Sequence, residues 1–316
     1  MQRTKARPNV KEIKERCPLE EEAYILLEVG ILSRSHNYFS TKEIIKSLKG
    51  KGVDPAYVKT PDVRLVTKQQ EMNILYKGQS LRSLGSVIPR IGRSLTDFGY
   101  MIIKQFETLK VPTTLSSFAL VNARNKFRAS QILHTQGLPI PPTWLIASQI
   151  KPSFIAKEMT CPIVIKLLSG TQGVGVIRVM DSKDAVPIVD TLDELDQLIC
   201  IQKFLENPGE DIRVFIVDSQ VVAAMKRCAP QGEWRCNIHL GAKSVPHKLN
   251  FEEEEIAIKA AEAFHAGVAG VDMIPTKDGP YVIEVNVSPG FKGLLSATGV
   301  NAADTIADYA IRIGKR

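Results

Sequence analysis

The sequence predicts an α/β fold, and three observations carry that prediction. An apolar strand, a helical pattern and a second strand open the chain, as in a β-α-β unit on a parallel sheet. Short apolar strands broken by helical stretches make up the remainder, with no internal repeat. Near the end, VDMIPTKDGPYVIEVN forms a hairpin with Asp272, Glu284 and Asn286 set among apolar residues.

AYILLEVGILS (residues 23–33) reads as the first strand. Ser40 or Thr41 is the expected N-cap of a helix with Ile44, Ile45 and Leu48 on its apolar face, stopped at Gly50-Lys51-Gly52. DPAYVK is the second strand, NILYKGQSL a small hairpin and GSVIPRIG a buried strand. Residues 22–112 therefore read as one α/β domain around a parallel sheet. VNARNKFRASQILHTQG reads as a helix stopped at Gly137, followed by a Pro-rich turn into a strand. CPIVIKLL, GVGVIRVM and LICIQKFL are short strands with a helix near residues 182–196. DIRVFIV, QVVAAMKR, VAGVDMIP and YVIEVN are the later strands. Asn250 and Glu253 make a capping-box start for the helix in FEEEEIAIKAAEAFHAGV, where Ile256, Ala260 and Phe264 share a face.

At 316 residues and 44% hydrophobic, the chain is long enough for two or three domains with their own cores. A net charge of +7 suits anionic partners: a nucleotide, an acidic substrate or nucleic acid. No apolar run approaches the roughly 20 residues that span a bilayer. The first 21 residues are polar and basic, an arm rather than a secretory signal. Cys17, Cys161, Cys200, Cys228 and Cys236 are odd in number and form no CxxC, so they read as reduced thiols of a cytoplasmic protein.

Chemistry concentrates at a few points. In YVIEVN, strand alternation sends Val282, Glu284 and Asn286 to one face. The short turn at KDG brings Asp272 within about one position of Glu284. Two carboxylates and an amide oxygen are hard ligands of the kind Mg²⁺ takes, although a polar, solvent-facing edge hairpin has the same pattern. KLLSGTQGVGVIRV sets a Gly-rich loop, Ser169–Gly175, between two strands, where backbone N–H groups can cover phosphates. It lacks the ending of a Walker A loop. Lys166, in an apolar strand, either snorkels outward or meets an anion, and Lys126 is either a second phosphate contact or a solvated helix lysine. IQKFLEN resembles a hinge in which Phe204 and Leu205 suit a purine. Arg213, Arg235 and Asn237 are either surface groups or a clamp for carboxylate or phosphate charge.

Taken in order, VIPRIG, KLLSGTQGVGV, DIRVFIV, WRCN, GVDMI and VIEVNVSPG resemble the motifs of the ATP-grasp superfamily, and within it the RimK-like α-L-glutamate ligases, from about residue 24 to the end. The resemblance implies an ATP-grasp fold with an N-terminal Rossmann-like pre-ATP-grasp domain. Its divisions would be an arm (1–21), the N-terminal domain (22–112), a central lobe with the phosphate flap (113–204) and a C-terminal lobe with the metal site (205–316). It implies that Lys126 and Lys166, with Gly170, Gln172 and Gly173 of the flap, hold ATP phosphates. Gln202, Lys203, Phe204 and Leu205 would hold adenine, and Asp211 the ribose. Asp272, Glu284 and Asn286 would bind Mg²⁺ (or Mn²⁺), two ions per site. Arg235 and Asn237 would stabilise an acyl phosphate, with Arg213 on the acceptor or phosphate side. The implied activity joins an amino acid, L-glutamate by this likeness, to an acidic acceptor, a cofactor tail or a protein C-terminus, in a homo-oligomer without membrane or nucleic acid partners. Another ATP-grasp peptide ligase and a non-catalytic ATP- or nucleic-acid-binding protein are the alternatives. Two departures from the family pattern stand out: Lys203 replaces an acidic residue, and Leu240 and Ala242 stand where an Arg and a Gly are usual.

Overall fold

The computed structural model describes residues 27–147, 154–168, 175–206, 209–236 and 240–315. The expected N-terminal arm lies outside them, as do Gly170, Gln172, Gly173 and Asn237.

β1 (Glu28–Ser33), α1 (Phe39–Gly50) and β2 (Asp54–Lys59) form the β-α-β unit, with β1 and β2 paired in parallel from Glu28↔Asp54 to Ser33↔Lys59. The cap of α1 differs from expectation. Tyr38 is the N-cap, without a side-chain hydrogen bond, while buried Thr41 lies 2.9 Å from the Ser33 hydroxyl and ties the helix to β1. β3 (Val63–Lys68), β4 (Glu71–Tyr76) and β5 (Gln79–Ser80) make a separate antiparallel sheet. The β4–β5 turn is the expected one, and Lys77 and Gly78 both adopt positive φ there (50° and 83°). β6 (Ser86–Arg90) then returns to pair in parallel with β1.

After α2 (Thr96–Thr108), the stretch read as one helix is two, α3 (Ser117–Ala123) and α4 (Lys126–Thr135). Asn125 makes the break: its Oδ1 accepts from the N–H groups of Phe127 and Arg128 and starts a new helix. β7 (Thr143–Ile146), β8 (Ile163–Leu167), β9 (Val176–Val179), α5 (Ser182–Glu194) and β10 (Ile199–Lys203) follow, in a sheet ordered β7-β10-β8-β9. That sheet has its own core, from Ile146 to Ile201, under α5.

The last sheet is antiparallel and ordered β13-β12-β11-β14-β15. It comprises β11 (Glu210–Val217), β12 (Gln220–Cys228), β13 (Lys243–Pro246), β14 (Val268–Thr276) and β15 (Gly279–Asn286). α6 (Phe251–Glu262) covers one face, and α7 (Lys292–Thr298) and α8 (Ala302–Gly314) complete the chain. One large core joins this sheet to the N-terminal elements, from Leu32 and Ile102 through α3 and α4 to Val271 and Val285. No helix among the described residues is long and apolar enough to cross a membrane.

The capping box of α6 is present in full: Asn250 Oδ1 accepts from Glu253 N–H, and Glu253 Oε2 accepts from Asn250 N–H and lies 3.0 Å from His247 Nε2. Because α6 packs Ala257, Ala260 and Ala261 into the main core, fraying there uncovers apolar surface. Asn250→Ala is expected to lower stability by about 1 kcal/mol in urea unfolding. A loss below about 0.3 kcal/mol would show that the cap is idle.

Candidate active site

Strand alternation in the last sheet separates core from chemistry. Ile212, Val214 and Ile216 of β11 join the main core, so Asp211 and Arg213 lie on the opposite face. On β14, Val271 and Met273 go inward and Asp272 goes with Asp211. Cross-strand register then sets Arg213 opposite Asp272, and Arg227 of β12 opposite Asp211.

The result is a four-membered charge network. Arg213 donates from Nε and Nη2 to Asp272 at 2.6 and 2.5 Å. Arg227 donates to Asp211 at 2.6 and 2.7 Å and reaches Asp272 Oδ2 at 3.0 Å. Burial opposes ionisation of Asp272, which is 3% exposed, but Arg213 and Arg227 together hold its carboxyl below the ordinary value. Asp211 goes the other way: burial, aided by the nearby Asp272 charge, raises its carboxyl against the pull of Arg227.

Asp272 stands directly opposite Glu284, and Asn286 opposite Gly270, so the three oxygen donors do line one patch. Val282 does not join them. A bulge between Asp272 and Met273 on one strand and Val282 and Glu284 on the other leaves Ile283 as the extra residue. Val282 therefore enters the core while Ile283 and Glu284 face the cleft. The donor chemistry suits a hard divalent cation. Asp272 would bring to it the acceptor capacity its arginines leave, while exposed Glu284 opens to the cleft. Among the described residues no group of three His, Cys, Asp or Glu gathers as a metal site, so the fitting set is two carboxylates and an amide.

The opposite wall comes from β8 and β10. Lys166 and Cys200 are cross-strand partners lining the cleft. Lys166 Nζ donates to Gln202 Oε1 at 2.5 Å, and Gln202 Nε2 donates to the Thr143 hydroxyl at 3.0 Å. Lys126, at the start of α4, donates to the Leu167 carbonyl at 3.0 Å. Burial and the like charge of Arg93 bring the Lys126 ammonium down to about 8, and burial lowers that of Lys166 too. Glu284 is the carboxylate whose field reaches Arg93, Lys126 and Lys166, so the oxygen patch faces the lysines.

At the hinge, Phe204 meets Trp234 edge-on (5.7 Å between centroids), and Arg178 of β9 lies over both rings. Phe204 and Leu205 line the cleft, whose apolar wall continues through Val164, Ile274 and Ile283. The Lys203 side chain turns away and donates to the Thr160 carbonyl and hydroxyl. Its N–H, like that of Phe204, is taken by a proline carbonyl, Pro142 and Pro162 respectively. Only backbone or hydrocarbon of Lys203 is left to face a ligand.

Arg235 lines the cleft, held by Glu233 in a two-point contact (Nε–Oε1 3.0 Å, Nη2–Oε2 2.8 Å). The Arg235 side chain and the N–H groups of Arg235 and Trp234 pull the Glu233 carboxyl down to about 2. Of the residues singled out from sequence, Lys126, Lys166, Gln202, Lys203, Phe204, Leu205, Asp211, Arg235, Asp272 and Glu284 all border this one cleft. Arg213 stands behind Asp272, and Asn286 beyond Glu284. Arg227, Trp234 and Arg93 were missed. Arg227 had a signal, being an arginine in register phase with Met225 on a strand facing DIR, and Trp234 stands in the WRCN motif; Arg93, at the start of a single 3-10 turn (Arg93–Leu95), had none.

The family model described as the RimK PreATP-grasp domain matches residues 27–120, and that described as the RimK-like ATP-grasp domain matches residues 123–310. A protein of Nitrosococcus oceani named "Probable alpha-L-glutamate ligase" is 36% identical over 285 residues, 90% of this chain and 95% of that protein. In structure, the chain resembles the ATP-grasp ligase PsnB complexed with minimal precursor, Mg and ADP (TM-score 0.70, 18% identity, 91% of this chain and 98% of that one). It also resembles the D-alanine–D-alanine ligase of Bacillus anthracis complexed with ATP (TM-score 0.67, 17% identity, 92% and 98%). With both family models matched along nearly the whole described length, the chain belongs to the RimK-like ATP-grasp family.

Proposed function

We propose that this protein is an ATP-dependent carboxylate–amine ligase that joins L-glutamate to an acidic acceptor through an acyl phosphate, with ADP and phosphate as products. One observation carries the proposal. A single cleft has an apolar slot at one end, two half-buried lysines facing a cross-strand carboxylate pair in the middle, and Arg235 on its wall. Such a cleft suits adenine, a metal-bound triphosphate and a reacting carboxylate in turn.

In this proposal Phe204, Leu205, Val164 and Ile274 enclose the purine, with the Lys203 carbonyl and Leu205 N–H as its polar partners. Asp211 meets the ribose with the acceptor capacity that Arg227 leaves. Lys126 and Lys166 hold phosphate oxygens, aided by Gly170, Gln172 and Gly173. Asp272, Glu284 and Asn286 hold Mg²⁺, two ions per site, with Mn²⁺ able to substitute. When bound, the metal neutralises charge on the phosphoryl group in transfer. An acceptor carboxylate oxygen attacks the γ-phosphorus and ADP leaves. The glutamate amine then attacks the acyl carbon, and phosphate departs with the carboxylate oxygen. Arg235 and Asn237 would donate to the charge that builds on the acyl phosphate, and Arg213 would keep Asp272 ionised and aligned.

The depressed Lys126 ammonium sets a pH dependence. Below about 8 it is charged and attracts phosphate; above that, the amine is neutral and the attraction is lost. Affinity for Mg·ATP is therefore expected to fall as pH rises from 7 to 9, and Lys126→Arg to remove most of that fall. A fluorescent ATP-analogue titration checks this, and a flat wild-type profile contradicts it.

The function itself is tested by supplying ATP, Mg²⁺ and L-glutamate with a panel of acceptors: a pterin cofactor, a deazaflavin cofactor and acidic peptides. Phosphate release requiring both glutamate and one acceptor, with a product heavier by one glutamyl residue, is the expected result. ATP binding without release for any acceptor would contradict it.

A further inference from the structure

A second cavity, of about 320 Å³, opens outside the carboxyl ends of β1 and β6, the place where open parallel sheets take their ligands. Ser33, Arg34, Ser40, Thr41, Arg90 and Ser288 line it. Its polarity is one-sided: among the described residues, two arginines contribute to the wall and no Asp or Glu does.

Arg90, the last residue of β6, donates from Nη2 to the carbonyls of Pro289 (2.7 Å) and Ser288 (3.5 Å), which are neutral acceptors. Burial lowers its guanidinium to about 10, still charged at neutral pH. Arg34 donates to the Ser94 hydroxyl at 2.9 Å, another neutral partner. α1 begins at the same wall with no side-chain cap and no acid in its first turn, so its N-terminal dipole adds to the positive field. The cavity also adjoins the cleft: Ser288 N–H donates to Asn286 Oδ1 at 3.2 Å, and Arg93 reaches the Leu168 carbonyl at 3.2 Å.

Resting on the ligase proposal above, we propose that this cavity is a carboxylate-binding subsite in which Arg34 and Arg90 hold an acid group of one of the two substrates. That group is either a carboxylate of the incoming amino acid or one on the acidic tail of the acceptor. A guanidinium fork matches a carboxylate at two points, and the Ser40 hydroxyl adds a donor. The bend from Asn286 to Ser288, where β15 ends, links the held acid to the reacting centre.

Calorimetry on the full chain tests this, with and without Mg²⁺ and a non-hydrolysable ATP analogue. The probes are L-glutamate and, separately, an N-blocked peptide ending in glutamate; the variants are Arg34→Gln and Arg90→Lys. Arg34 is exposed, so its variant separates binding from folding. At least one probe is expected to bind the wild type and to weaken about tenfold or more in both variants, with analogue affinity unchanged. An effect on glutamate alone identifies the incoming amino acid, and on the peptide alone the acceptor tail. Undiminished binding of both probes in Arg34→Gln, no binding of either to the wild type, or inorganic phosphate competing as strongly as carboxylate would overturn the subsite. Failure of the analogue to bind would instead count against the ligase proposal, while the titrations without it still decide the cavity.

Discussion

Arg235→Ala is expected to lower kcat by about 10³-fold while leaving Mg·ATP affinity within about threefold. The expectation follows from where the side chain sits. Arg235 borders the cleft but belongs to neither its apolar slot nor its lysine wall, so ground-state nucleotide binding is not expected to depend on it. Its guanidinium is already aligned by the two-point contact with Glu233, so little reorganisation is needed when charge develops on the transferring group. A loss confined to the transition state lowers kcat and kcat/KM equally. Arg235→Lys should recover only a small part, because a point charge cannot reproduce the fork. Steady-state kinetics alongside nucleotide titration decide the matter. A variant that loses ATP affinity at unchanged kcat would move Arg235 from the chemistry to the binding of nucleotide.

Glu284→Gln and Asp272→Asn should both abolish most Mg²⁺-dependent turnover, by about 10²-fold or more, yet differ in stability. Glu284 is exposed to the cleft, and its loss leaves the fold's internal ion pairs intact. Asp272 is the counter-ion of two arginines, one of them 4% exposed, so neutralising it strands buried positive charge. About 3 kcal/mol of stability is expected to go with Asp272→Asn and almost none with Glu284→Gln. The sign of the pH dependence is set by the depressed Asp272 carboxyl. Its contribution is present above the unfolded carboxyl value and is lost as pH falls through the folded one, so the Tm gap between wild type and Asp272→Asn should close in acid. Thermal melts from pH 7 downward read this directly. Equal stability of the two variants at pH 7 would contradict the two-arginine network.

Much of the cleft was legible because its key pairs are local in sequence or strongly patterned. A short hairpin turn constrains register, so Asp272 and Glu284 had to meet within one residue, and they pair directly. The capping box at Asn250 and Glu253 is likewise a four-residue signal. Most of what failed was non-local. The bulge at Ile283 reverses the face of Val282, and nothing in an alternating strand announces an extra residue. Arg227 meets Asp211 only after the β11–β12 register absorbs a shift between Phe215 and Ile216. The path of the Lys203 side chain is set by Thr160, more than 40 positions distant; the miss at Asn125 was a local one, its side chain capping a new helix within the stretch read as one. The cavity between Arg34 and Arg90 joins segments that only the parallel sheet brings together.

The most direct test of carboxylate activation by phosphoryl transfer uses an acceptor whose carboxylate carries ¹⁸O, turned over once with ATP, Mg²⁺ and L-glutamate. One labelled oxygen should leave the acceptor and appear in inorganic phosphate, with ADP as the nucleotide product. Label found in AMP, or retained in full by the ligated product, would show that no acyl phosphate forms.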